Sequence, residues 1–225
     1  ENNLKNAAFN ILNSLKKLHK NEYDTPLIEG SLEFYLQEEM ISPLLKYEKY
    51  LDISNKTFEN FKVYTCADTI SKIYELFANL GEIKTQKYCM IHGNATLENI
   101  LIHPKSLAVS FIDVYDETYC DISLSDYSQI LQCSKYYYGM RMRSEKNEDD
   151  ESDYKLMDEN NNFKFFNKVI EDNLNLSKEE STLLNLLSAS QFIRLLPFRI
   201  QNNDTQNAIY FYSLASWILR GSLNE

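Results

Sequence analysis

Apolar residues recur at intervals of three and four along most of this chain, and that spacing commits it to helices before anything else is weighed. Between residues 3 and 19 the series Leu4, Ala7, Ala8, Ile11, Leu15 and Leu18 lays one apolar stripe along a helical face. A second helical stretch begins near Ser31 and runs through Phe34, Tyr35 and Met40 towards Tyr50, with Pro43 as a kink or break. A third is predicted over 68–80 with Gly81 as its stop, and 58–65 before it reads as either helix or strand. The period returns over 124–138, with Tyr127, Ile130, Leu131 and Ser134 on one side. Ser177 followed by Glu180 forms a capping box ahead of a helix that continues to Leu196, just before Pro197. A last helix is predicted from Thr205 to Gly221.

Mid-chain the pattern changes. Residues 88–91, 100–102 and 109–112 are short, apolar and β-branched, and loop-forming residues separate them. They predict small strands around a loop rather than a large sheet, so the fold class expected is α+β and mainly helical. The stretch 144–162, SEKNEDDESDYKLMDENNN, is acidic and poor in core formers, which predicts a solvated, flexible insert. No internal repeat is visible.

At 225 residues the chain can bury a sizeable core, as one large domain or two small ones. A net charge of -10 opposes phosphate backbones, so nucleic acid is not an expected partner. No apolar run is long enough for a bilayer and no signal segment opens the sequence, which predicts no membrane association and a cytoplasmic location. Cys66, Cys89, Cys120 and Cys133 form no C-x-x-C pair and the three histidines are scattered, so a zinc site is not expected. Reduced, buried thiols are.

The segment MIHGNATLENILIHP, 90–104, carries the chemistry. His92, Gly93 and Asn94 are followed by Asn99, and then by the strand-like VSFID ending in Asp113. Phosphoryl transfer relies on position and metal charge, so it needs oxygen ligands for magnesium and a group beside the attacking hydroxyl. Asn99 offers an amide carbonyl and Asp113 a carboxylate, both suited to a hard cation, and residue 94 would face the hydroxyl. The plainer alternatives are a turn-forming asparagine and a strand-end cap.

In order and spacing, HGNATLENILI and VSFIDVYDE resemble the catalytic core of the aminoglycoside/choline-type phosphotransferases, the small-molecule branch of the protein-kinase-like fold. DISLSDYSQILQCS resembles the segment that follows in that family, and is nearest to kinases of capsule and surface-glycan clusters. NILNSLKKLHK, 10–20, resembles the helix that opens the family's C-terminal lobe. The resemblance spans most of 1–138 and is strongest over 88–134. It implies a C-terminal kinase-like lobe over 1–225 and an ATP- and Mg-dependent phosphotransferase acting on a hydroxyl of a sugar, amino alcohol or glycan precursor. In that reading Asn99 and Asp113 hold metal and nucleotide, His92 braces the loop, and Asp126 is a structural brace or helix cap.

Two departures qualify it. Asn94 stands where the family has its catalytic aspartate, and loss of a general base costs about 10²- to 10⁴-fold in rate. The N-terminal lobe is not visible in this chain: no Gly-rich loop occurs, and Lys62 is an isolated candidate for the phosphate-pairing lysine. If residues 1–20 already open the C-terminal lobe, the N-terminal lobe or a partner domain is expected to precede Glu1, or to be absent. The alternative is a non-catalytic, pseudokinase-type binding or scaffolding module, and a third reading is an unrelated helical interaction protein. Asp116, Glu117 and Asp121 read as outer-shell groups or solvated loop. KYYYG at 135–139 reads as helix-end packing or a cation–π pocket, and Arg194 and Arg199 as surface ion pairs or contacts to an anionic acceptor.

Overall fold

Two of the helix starts are set by local side-chain caps. The computed structural model describes residues 2–22, 29–81, 83, 88–115, 118–143, 153–156 and 161–221. Helix α1 (Asn2–His19) buries Ala7, Ala8, Ile11 and Leu15, the residues its spacing picks out, with Leu12 added. Helix α2 (Glu29–Leu36) passes through a π turn (Gln37–Ile41) into α3 (Ser42–Tyr47). Pro43 has no N–H to give, and the ladder widens just before it: Ser42 N–H reaches back five residues to the Gln37 carbonyl. The expected break at the proline is therefore a bulge that keeps the helix direction.

The ambiguous stretch before the next helix is a hairpin. Strands β1 (Thr57–Phe58) and β2 (Phe61–Lys62) pair antiparallel. Glu59 and Asn60 between them have φ of 50° and 67°, the left-handed pair that a two-residue hairpin turn requires. The Thr65 side chain accepts the Asp68 N–H at 3.1 Å and so caps α4 (Cys66–Ala78).

Strands β3 (Ile100–Ile102) and β4 (Val109–Phe111) form a second antiparallel pair, with Leu101 opposite Ser110. Residues 88–91 do not make the expected third strand. Cys89 forms a single bridge to Glu22, and the neighbouring Met90 N–H goes to Asn21, so no ladder is sustained. Helix α5 (Ser123–Ser134) also stops short of the predicted residue 138. Tyr137 adopts φ of 55°, which breaks the helix and starts the short α6 (Tyr138–Arg143) in a new direction.

The acidic stretch needs a correction as well. Within it Asp153–Tyr154 forms β5, which pairs parallel with β1, and Tyr154 is buried against Tyr210. An aromatic ring and a strand register thus anchor a segment whose composition predicts a solvated loop. Residues 144–152 and 157–160 of that stretch lie outside the described residues, and 161–162 open α7 (Asn161–Leu174).

Helix α8 (Lys178–Ile193) begins at the capping box foreseen: Ser177 N–H donates to the Glu180 carboxylate at 2.8 Å, and Glu180 N–H donates to Ser177 Oγ at 3.1 Å. Pro197 sits in the first turn of α9 (Leu196–Gln201), and α10 (Thr205–Gly221) closes the fold. Helix α8 lies between α5 and α10 and is buried on every side along its second half, from Leu186 to Ile193. Each large apolar side chain so enclosed contributes about 1.5–3 kcal/mol relative to exposure. Residues from α1 through α10 share one core, and the chain is α+β and mainly helical. No helix among the described residues is long and apolar enough to cross a membrane.

All four cysteines are buried and unbridged. Burial is the main reason their thiols resist ionisation: Cys66 and Cys133 are pushed up to about 11, Cys89 and Cys120 to about 12.

Candidate functional site

The β3–β4 hairpin, the loop before it and the first turns of α5 meet at the His92–Asn94 segment. Gly93 has φ of +76°, and a Cβ there would lie 2.1 Å from the Tyr115 carbonyl oxygen, so only glycine fits. Asp126, wholly buried in the first turn of α5, holds this loop from below. Its carboxylate accepts His92 N–H and Gly93 N–H, each at 2.9 Å, and lies 3.0 Å from His19 Nε2 at the end of α1. Tyr127 meets the His19 ring edge-on at 5.4 Å and fixes its plane. One carboxylate thereby joins two helices to two consecutive loop amides.

Gln129, one turn further along α5, completes the grip. Its Oε1 accepts Ala95 N–H at 2.6 Å, and its Nε2 donates to the Gly93 carbonyl at 2.7 Å. The sequence reading overlooked Gln129. The signal was there, since a position three residues after Asp126 shares its helix face. His92 braces the loop from within: its Nδ1 accepts Asn94 N–H at 3.3 Å, and its ring packs beside Phe111 at 5.3 Å. The buried His92 Nε2 has no hydrogen-bond partner among the described residues.

With the backbone pinned, the Asn94 side chain meets Asp113 and the Asn99 side chain meets the main chain of Asn94. Asn94 Nδ2 donates to Asp113 Oδ2 at 2.8 Å and reaches the Asp113 carbonyl at 3.3 Å. Asn99 Nδ2 donates to the main-chain carbonyl of Asn94 at 2.9 Å, while Asn99's main-chain carbonyl accepts Ile112 N–H at 3.0 Å. Asp113 reaches Asn94 from a left-handed backbone, φ 58°, just beyond β4. Such a conformation in a residue with a side chain is uncommon and concentrates at functional sites.

Among the described residues no group of three or more His, Cys, Asp or Glu side chains is placed to hold a metal ion. The donors here are one exposed carboxylate and one amide. That set is too small to hold a cation alone. Magnesium is the cation such a pair would suit, since it takes one or two protein oxygens and completes its shell with phosphate oxygens and water.

The remaining candidates separate. Asp121 accepts the Thr118 hydroxyl, and Asp116 and Glu117 lie outside the described residues. Tyr136, Tyr137 and Tyr138 pack on Phe192, Phe163 and Phe211 respectively. Arg199 is engaged by Asp204 at 3.4 Å and the Tyr138 hydroxyl at 3.0 Å. Lys62 lies on β2, where its carbonyl accepts from Arg220, and no described hydrogen bond joins it to the loop.

Arg194 has a different setting. It lines a cleft of about 270 Å³ that opens beside Gly93 and is walled by Tyr35, Glu39, Tyr115, Gln129 and Gln191. Burial raises the Glu39 carboxyl above its ordinary value, and the Arg194 guanidinium opposes that rise. Burial likewise raises the Tyr35 phenol, whose hydroxyl lies 2.7 Å from Ser190 Oγ.

No family model, curated protein or solved structure matches this chain.

Proposed function

We propose that this chain is the acceptor-side lobe of a kinase-like phosphotransferase, acting on a hydroxyl of a small molecule with ATP and magnesium. The observation that carries the reading is the relay from Asn99 to Asn94 to Asp113, drawn together on a loop whose amides are held by Asp126. Asp113 and Asn99 would hold the cation. The cation would supply charge to the transferred phosphoryl group, and the chain's own residues would supply position.

Asn94 Nδ2 is occupied by Asp113, which leaves Oδ1 to accept a hydrogen bond from the acceptor hydroxyl. An amide oxygen can orient that hydroxyl but takes up a proton far less readily than a carboxylate, so turnover is expected to be weak. The same contact favours the second reading, a pseudokinase-type binding module, because Asn94 serves as a bonding partner of Asp113 rather than as a base. Exposed Leu101, Ile102, Ile112 and Val114 flank Asp113 along the β3–β4 hairpin. They supply the apolar surface that a nucleotide-bearing partner lobe would cover.

The test is a thermal-shift titration with magnesium and ATP, repeated with Asp113→Ala. The proposal expects a saturable rise in Tm that needs both reagents and is abolished by the substitution. An equal rise in both proteins removes the metal site, and with it the phosphotransferase reading.

A further inference from the structure

The cleft beside Gly93 holds polar groups that the core and the loop do not use. Gln191 lines it from α8 and is only 2% exposed. Its Nε2 donates to Ser128 Oγ at 3.1 Å and its main-chain carbonyl accepts from Gln132, but its Oε1 has no hydrogen-bond partner among the described residues. That oxygen is enclosed as it stands, and a turn of the side chain toward the cleft would give it a ligand donor. Arg194, one turn later at the end of α8, is the one cation among the lining residues, and Glu39 the one carboxylate. The two interact through space without an ion pair, since none joins them within 4.0 Å among the described residues. Exposed Tyr115 and Tyr119 stand among the same lining residues and offer ring faces to an apolar ligand edge.

We infer that this cleft binds a monosaccharide-sized, hydroxylated anion, with its carboxylate or phosphate on Arg194 and a hydroxyl reaching Gln191 Oε1 after a turn of that side chain. Glu39 accepts a second hydroxyl, and a tyrosine ring covers the carbon face. The volume admits one sugar ring. Identifying this ligand as the phosphoryl acceptor rests on the phosphotransferase reading. The binding itself does not, because the cleft's recognition groups are separate from Asn99 and Asp113.

The experiment is calorimetric titration, without nucleotide or metal, using glucuronate, glucose 1-phosphate and neutral glucose as probes. The acidic sugars should bind saturably and glucose at least about tenfold more weakly, the scale of one charge-assisted contact. Whichever acid binds tighter identifies the anion that Arg194 prefers. Arg194→Gln, at an exposed position, should keep the fold and lose about tenfold for the acids alone. Gln191→Glu, which keeps the shape and adds charge, should weaken both acids. Glucose binding as tightly as the acids, Arg194→Gln retaining full affinity, or no saturable heat from any probe would each overturn the inference. If Asp113→Ala abolishes the magnesium–ATP shift and the sugars still fail to bind, the cleft inference fails while the phosphotransferase reading stands.

Discussion

Replacing Asp126 with alanine tests the device that shapes the loop. The buried carboxylate receives two backbone N–H groups at 2.9 Å and His19 Nε2 at 3.0 Å. Hydrogen bonds to a charged acceptor contribute about 1.5–3 kcal/mol each, so the two amides alone put the cost near 3–6 kcal/mol. That is a large share of the roughly 5–15 kcal/mol holding a typical domain together. Asp126→Asn should cost about half as much, because one amide oxygen remains while the NH₂ faces an N–H donor. Urea denaturation followed by circular dichroism gives the free energies. Amide hydrogen exchange at Gly93 and Asn94 shows whether the loop loosens before the core does. A cost below about 1 kcal/mol with unchanged exchange at those amides would refute the claim that this carboxylate holds the loop.

Three further perturbations probe other parts of the site and core. Gly93→Ala combines a left-handed backbone with a Cβ driven into the Tyr115 carbonyl, and should lower stability by roughly 2–4 kcal/mol in the same urea assay. Asn94→Asp sets a carboxylate against Asp113 in place of the present hydrogen bond. It should lower stability without metal by about 1 kcal/mol at this partly exposed site, and magnesium should restore the loss. With a nucleotide lobe present, the phosphotransferase reading expects that variant to gain activity, whereas the binding-module reading expects none. Alkaline pH should unfold the protein steeply. The buried thiols keep their protons up to about 11–12, while unfolded cysteines lose theirs near 8.5, so the unfolded state binds fewer protons and stability falls as pH rises between those values. The slope is about 1.4 kcal/mol per pH unit per thiol, and Cys120→Ala should make Tm against pH measurably shallower above pH 9.

Helix starts were legible in this sequence because capping is local: Ser177 and Glu180 carry their whole instruction within four residues. Elements that depend on distant partners were not. Residues 88–91 have strand chemistry but find single hydrogen bonds from separate loops, so no strand forms. Tyr154 lies in an acidic, loop-like context and is buried only because β1 and Tyr210 meet it from far along the chain. At the site, the spacing of Asn94, Asn99 and Asp113 suggested a common locus, and the hairpin of β3 and β4 brings them to one another. Gln129 shares a helix face with Asp126 and was within reach of pattern reading, whereas the role of Gln191 stayed hidden until Ser128, 63 residues away, was in place.

Paramagnetic broadening by Mn²⁺, a stand-in for magnesium, tests the cation site most directly. In ¹H–¹⁵N spectra recorded with a non-hydrolysable ATP analogue, substoichiometric Mn²⁺ should bleach the amides of Asn94, Asn99 and Asp113 first, and Asp113→Ala should erase that pattern. Broadening centred on another acidic segment, or an unchanged pattern in the variant, would show that these side chains do not share a cation.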